Sequence, residues 1–442
     1  MGLTWRLPDL LSPAASTAHP RRPDARGVPA FTRSPRLLIL SASVGAGHVR
    51  AAQALEAACG AGEFPGEVRH LDVLRFTNRA FRTLYSQGYL ELVDKAPDVL
   101  GWFYDRLDTP WKSNRLQQAF EQANLAPFVR QLESLRPDWA LCTHFLPAGI
   151  IAWLRRHQRI RVPQAVVVTD FDVHAFWLLG DVEQYFVARE EAAAYLERTG
   201  VPPERIRVSG IPVDPVFALP KDRAGVRRRH GLDQTLPTLL LSVGGFGLHG
   251  AARILEALLA IHRPVQIVAV AGARAEVRVR LQRVAAGAPP PHRVQVLGFT
   301  TAMDELMAAA DLLVGKAGGL TSSEALARGL PLLIVNPTPG QEERNSDHLL
   351  EAGAAVRCNN LSTIGWKVEQ LLGEPGRLER LREAARAAGR PRAALDIISA
   401  MRGLMGITPP LGLPPLAGPA DKEGGTLARL GSPGRRRARD RS

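Results

Sequence analysis

Ten short apolar runs, separated by stretches of helical character, constrain this 442-residue chain more than any other feature. The first five are RLLILS (36–41), WALCTH (139–144), QAVVVTD (164–170), QYFVA (184–188) and RIRVSG (205–210). The second five are PTLLLSVGG (237–245), VQIVAVAG (265–272), VQVLG (294–298), DLLVGK (311–316) and PLLIV (331–335). Unbroken leucine and β-branched runs of this length suit strands buried on both faces, and their alternation with helices predicts parallel sheets. Between the sets, IPVDPVFALPK (211–221) holds three prolines and reads as a linker.

The expected fold class is therefore α/β, with two doubly wound Rossmann-like domains whose parallel sheets face a central cleft. Ligands of such folds bind at the C-terminal strand edges. The expected N-terminal domain spans 35–210 and the C-terminal domain 222–390, followed by a terminal helix over 391–407. Residues 1–34 and 408–442 are rich in Pro and Arg without a hydrophobic period and read as disordered basic tails.

A formal net charge of +13 favours an acidic partner: nucleic acid, an anionic membrane surface or a phosphorylated substrate. A nucleic-acid-binding chain would also offer a recognisable module with stacking aromatics on a basic face, and none is present, so nucleic acid is not the expected partner. Residues 76–111 interleave eight aromatics (Phe76, Phe81, Tyr85, Tyr89, Trp102, Phe103, Tyr104, Trp111) with Arg75, Arg79, Arg82, Lys95 and Arg106. That mixture suits either an interfacial membrane segment or a helical insertion with its own small core. No stretch approaches the roughly 20 apolar residues of a membrane span, so contact with a membrane would be peripheral, from the cytoplasmic side. Cys59, Cys142 and Cys358 have neither metal spacing nor the density of a disulfide framework, which fits a reducing cytoplasm.

Three glycine-bearing stretches in the second half have the makings of a ligand site, the first two of them for an anion. After the strand PTLLLSVGG the chain runs GGFGLHGAARILEALL, where Gly244 and Gly245 let the backbone turn and a helix directs free amides forward. In DLLVGKAGGLTSSEALARG, Gly318 and Gly319 end a strand, Thr321 or Ser322 is placed to cap the next helix, and Glu324 falls in its first turn. Glu324 there either favours the helix dipole or accepts the two hydroxyls of a ribose. In NPTPGQEERN, Gln341, Glu342 and Asn345 follow a Pro-Gly turn and either bind sugar hydroxyls or cap a helix.

The order GFT…DLLVGKAGGLTSSEALARGLP…PGQEERN resembles the donor-binding half of glycosyltransferase family 28, which has the two-domain GT-B fold. SASVGAGHVRAAQAL and VVVTDFDVHAFWLLGDVEQYFVARE are similar to its monogalactosyldiacylglycerol synthase and diglucosyl-diacylglycerol synthase branch. The resemblance implies that the backbone at Phe299 and Thr300 holds uracil and that Glu324 holds the ribose. It implies that Gly244, Gly245 and Gly318, Gly319, Leu320 and Thr321 surround the diphosphate, and that Gly340, Gln341, Glu342 and Asn345 face the donor sugar. Lys316 and Arg344 are spare cations for the diphosphate. It also implies transfer without a metal or other cofactor, with helix N-termini and loop amides stabilising the leaving diphosphate.

Inverting transfer needs a base that takes the proton of an attacking hydroxyl. His48, after the turn of Gly45 and Gly47, is placed for that role, and a helix N-terminus would keep its ring neutral. Relatives usually carry Asp-Thr-Gly-Gly-Gly-His where this chain has Ala42-Ser43-Val44-Gly45-Ala46-Gly47-His48. Asp170 and His174 form the second pair, with Asp170 placed to orient His48 or His174 or to bind the acceptor. The activity implied is an inverting hexosyl transfer from a UDP-sugar to a lipid acceptor, diacylglycerol or a glycolipid, at an anionic membrane surface. Two alternatives stay open: N-acetylglucosamine transfer to a polyprenyl-diphosphate lipid, and a degenerate relative that binds a UDP-sugar without turning it over. A UDP-sugar epimerase of the same fold would need carboxylates lining the cleft, and the sequence points to none.

Overall fold

All ten apolar runs contain a strand in the computed structural model, which describes residues 33–77, 126–244, 246 and 248–407. β1 (Arg36–Ser41), β2 (Glu67–Asp72), β3 (Trp139–Cys142), β4 (Gln164–Val167), β5 (Gln184–Val187) and β6 (Ile206–Val208) build one parallel sheet in the order β2-β1-β3-β4-β5-β6. β7 (Thr238–Ser242), β8 (Gln266–Val270), β9 (Arg293–Leu297), β10 (Leu312–Gly315), β11 (Leu332–Val335) and β12 (Ala355–Cys358) build the other, ordered β12-β11-β10-β7-β8-β9.

The apolar runs are continuous because both faces of each sheet are covered. In β1, Leu37 and Ile39 pack with Leu395, Ile398 and Met401 of the helix Ala393–Leu404, whereas Leu38 and Leu40 face the opposite core. In β7, Leu239 and Leu241 enter one core and Leu240 the other. The last described helix thus returns from the second domain to pack on the first sheet.

β2 and β12 fall outside the ten runs. EVRHLD and AVRC are edge strands, partly exposed and interrupted by charge, so they lack the doubly buried pattern that marks the central strands.

Each sheet reverses its winding at one place, between β1 and β3 in the first and between β7 and β10 in the second. Crevices for ligands open outside the strand ends at such switch points. The linker stretch contains a short 3-10 turn, Pro215–Ala218, whose Phe217 is buried in the second domain's core under the Arg328 guanidinium.

Of the aromatic-rich stretch 76–111, Phe76 is described and its ring packs 6.0 Å from that of Phe128 in the first core. Residues 78–111, Gly245 and the tails 1–32 and 408–442 lie outside the described residues. Among the described residues no helix is long and apolar enough to cross a membrane, and the three cysteines are buried, unpaired thiols.

Candidate active site

The first switch point is built around His48. Past β1, Asp72 from the end of β2 accepts from the Ser43 amide at 3.1 Å, and Gly45 takes φ +72°, the one left-handed residue of the turn. Ala46 therefore needs no positive φ; at −88° it caps the helix Gly47–Ala58, in which His48 is the second residue. The one left-handed position of the turn is thus held by a glycine.

His48 Nδ1 lies 2.9 Å from the Thr143 carbonyl and 2.9 Å from Thr169 Oγ1. A carbonyl only accepts, so Nδ1 carries the proton and Nε2 keeps the lone pair. The His144 ring stands edge-on at 4.5 Å and Trp177 lies 6.4 Å away. Burial in this enclosure lowers the His48 pKa to about 4, opposed by the Thr143 carbonyl. The ring is neutral at pH 7, as expected, but desolvation is the cause rather than the helix terminus. His144 accepts from the Leu146 amide and caps the helix Phe145–Arg156, and burial holds its pKa well below the ordinary value.

The second switch point is lined by glycine-capped helices. Gly318 is the N-cap of the helix Gly319–Ala327 and makes no side-chain cap bond. The capping role expected of Thr321 or Ser322 is thus not realised, because the helix starts earlier and places Glu324 in its second turn. Gly340 adopts φ +88° before the helix Gln341–Glu351. Between the two, Lys316 Nζ donates to Thr338 Oγ1 at 2.9 Å and stands 5.4 Å from the centre of the Phe246 ring, beyond β7. Glu342 accepts from the Thr338 amide at 2.6 Å. Gly244 lies exposed after β7, and Phe299 projects with 75% of its surface free. Thr300 Oγ1 accepts from the Ala302 amide at 3.1 Å.

Several of the predicted donor residues reach across to the first domain. Asp170 accepts from Gln341 Nε2 and, at 3.4 Å, from Asn345 Nδ2, while Asn345 Oδ1 accepts from the Phe171 amide at 3.0 Å. Arg344 pairs with Asp172 at 3.0 Å, and Arg50 donates to Glu324 Oε1. Leu320 packs with Ala51, Ala188 and Ile211, and a Cβ on Gly319 would land on the Thr169 carbonyl oxygen. Glycine there is what allows the two strand edges to meet.

Burial raises the Asp170 pKa to about 6 against its hydrogen bonds to Gln341 and Asn345, and Asp172 and Glu342 push it the same way. Burial also raises that of Glu324, opposed by Arg50. His174 Nδ1 accepts from the Phe176 amide at 3.2 Å.

Asp170-Phe171-Asp172 is an Asp-X-Asp sequence just past β4, which the expectation of metal-free transfer does not take into account. Here the two carboxylates take amide and guanidinium donors from the other domain. Asp170, Asp172, Glu324 and Glu342 also mean that carboxylates do line the cleft, contrary to the sequence reading; each is engaged by a neighbour.

Thr143, His144, Thr169 and Trp177 were not legible as site residues. Thr143 and His144 end the run that lies beside β1 across the switch point, and Thr169 and Trp177 lie within the stretch VVVTDFDVHAFW, which are the signals that could have found them.

Facing Rossmann-like domains with a histidine at one switch point and glycine-capped helices at the other define the GT-B architecture. Residues 48–213 match the family model for monogalactosyldiacylglycerol (MGDG) synthase, and residues 226–388 match that for glycosyl transferases group 1. The two matches fall on the two domains in turn, and the chain is a glycosyltransferase.

It is 27% identical over 353 residues to the processive diacylglycerol beta-glucosyltransferase of Bacillus pumilus, covering 79% of this chain and 89% of that protein. The protein of that name from Bacillus subtilis is 27% identical over 348 residues, with 79% and 90% covered. Among solved structures, Acinetobacter baumannii MurG superposes with a TM-score of 0.56 at 18% identity, over 84% of this chain and 99% of that one. The UDP-GlcNAc 2-epimerase of Neisseria meningitidis bound to UDP-GlcNAc superposes with a TM-score of 0.53 at 16% identity, over 83% and 100%. At these identities the two structures share the fold.

Proposed function

We propose that this glycosyltransferase moves a hexose, with inversion, from a UDP-sugar to diacylglycerol or a glycolipid at an anionic membrane surface. The observation that supports this reading best is the His48 enclosure, which holds a neutral imidazole in one tautomer at the switch point facing the second domain's helix N-termini.

The acceptor hydroxyl oxygen attacks the anomeric carbon as the bond from that carbon to the diphosphate oxygen breaks. His48 Nε2 takes the hydroxyl proton, and UDP leaves with the bonding pair. A pKa of about 4 makes the free ring a weak base. The diphosphate anion departing beside it favours the imidazolium, so basicity rises where it is used. The free amides of the helices that start at Gly319 and Gln341, with Lys316, receive the diphosphate without a metal or cofactor. Glu324 takes the ribose, Phe299 and Thr300 the uracil, and Gln341, Glu342 and Asn345 the sugar. Asp170 is a positioning residue for Gln341 and Asn345.

The lipid acceptor rests on the names of the two Bacillus relatives, and the membrane surface on that acceptor and the net charge of +13. A panel of UDP-sugars incubated with liposomes containing diacylglycerol and an anionic phospholipid, resolved by thin-layer chromatography, tests the reading. A glycolipid from one UDP-hexose is expected; no glycolipid from any donor would overturn it.

A further inference from the structure

Glu324 is 3% exposed, and its two oxygens are treated differently. Oε1 accepts from Arg50 Nη2, whereas Oε2 is buried with no partner among the described residues. A buried carboxylate oxygen without a donor is costly, so its place in the fold points to a hydrogen-bonding ligand. Arg50 comes from the other domain, two residues beyond His48 on the helix Gly47–Ala58. That helix is held against the start of the Glu324 helix by Ala51 and Leu320, with Gly47 close to the Leu320 side chain.

We propose that Arg50 positions Glu324 from across the cleft, fixing one carboxylate oxygen so that the other is presented to the donor's ribose hydroxyls. The inference rests on the reading that Glu324 receives the ribose, and adds that this recognition is assembled from both domains. Other charges near Glu324 are Asp214 of the linker and Asp304 of the helix Met303–Ala309, both carboxylates that disfavour its ionised form. Asp304 is itself paired with Lys221 at 2.7 Å. Arg50 is thus the cation that hydrogen-bonds Glu324 directly and supports its charge. A ribose hydroxyl then donates to a carboxylate whose charge Arg50 favours, and the more that charge is kept the stronger the bond.

The consequence is a specific kind of selectivity. A site that hydrogen-bonds a hydroxyl rejects the analogue that lacks it, because its own polar group is then left unpaired. The full chain should bind UDP more tightly than 2′,3′-dideoxy-UDP by about tenfold or more. In Arg50→Ala that ratio should fall to within about threefold, with Arg50→Lys between the two, because a lysine restores the charge without the fork of the guanidinium.

Calorimetric titration of wild type, Arg50→Ala, Arg50→Lys and Glu324→Ala with both nucleotides tests this, with thermal melts confirming that each variant is folded. If Arg50→Ala is unfolded, Arg50→Lys alone decides, since an unchanged ratio there contradicts the geometry. A wild type that does not distinguish the nucleotides overturns the ribose assignment and the inference with it. A wild type that does, with the ratio lost in Glu324→Ala and kept in Arg50→Ala, leaves the ribose assignment standing and overturns the role of Arg50. A purely structural loss would weaken both nucleotides alike and leave the ratio intact, which also counts against it.

Discussion

The two switch points are the same device in the same kind of sheet, yet they satisfy their polar groups in opposite ways. Around His48 the partners are internal: Thr143 and Thr169 belong to the same domain and hold the ring before any substrate arrives. Around the second switch point Lys316 and Glu342 meet at Thr338 within the domain, but other partners are external, with Glu324 on Arg50, Gln341 and Asn345 on Asp170, and Arg344 on Asp172. A base gains from being fixed in advance, since preorganisation lowers the cost of reaching the transition state. A donor site whose side chains are held by the opposite domain offers the sugar and ribose the polar atoms those bonds leave free, so binding and domain contact are linked.

The contrast can be broken most forcefully at His48. His48→Ala should slow glycolipid formation by about 10²–10⁴-fold at saturating donor and acceptor, measured as initial rate.

Asp170 tests the cross-domain side through pH. Its folded pKa of about 6 is above the unfolded value near 3.9, so its contribution to stability is full below about pH 4 and is lost as pH rises through about 6. Chemical denaturation should find the difference in stability between wild type and Asp170→Asn shifting by about 2–3 kcal/mol between pH 4 and pH 7.5, with wild type relatively weaker at the higher pH. A pH-independent difference would show that Asp170 is not buried against Gln341 and Asn345 in solution.

Gly319→Ala places a Cβ on the Thr169 carbonyl oxygen, a backbone atom that cannot rotate away. It should destabilise the protein by about 1–3 kcal/mol and lower Tm by several degrees. Thr169→Val is the gentlest probe: it removes one of the two Nδ1 contacts and should lower kcat by about three- to tenfold with little change in KM for the donor. An equal loss in KM would place Thr169 in donor binding instead.

How much of this could be read from the chain follows from where each constraint lies. The central strands were legible because burial on both faces leaves an unbroken apolar run, as in RLLILS and PLLIV. EVRHLD and AVRC were not, since charge interrupts both at an open edge, whereas the other two edge strands, in RIRVSG and VQVLG, keep alternating apolar residues. Glycine turns and His48 were legible because a short local motif sets them. The partners of Glu324 and Asp170 were not, because Arg50–Glu324 and Asp170–Gln341 pair residues 274 and 171 positions apart. The first turn of the Glu324 helix was misjudged for a local reason: the chain enters helix at Gly319 without a capping hydroxyl, so Thr321 and Ser322 become interior residues.

The central claim is a division of labour, with the base in the first domain and the nucleotide in the second. Titration of UDP against His48→Ala and Glu324→Ala, each folded by thermal melt, tests it most directly. His48→Ala should bind UDP within about threefold of wild type, whereas Glu324→Ala should lose about tenfold or more. A loss of UDP affinity in His48→Ala as large as that in Glu324→Ala would contradict the account.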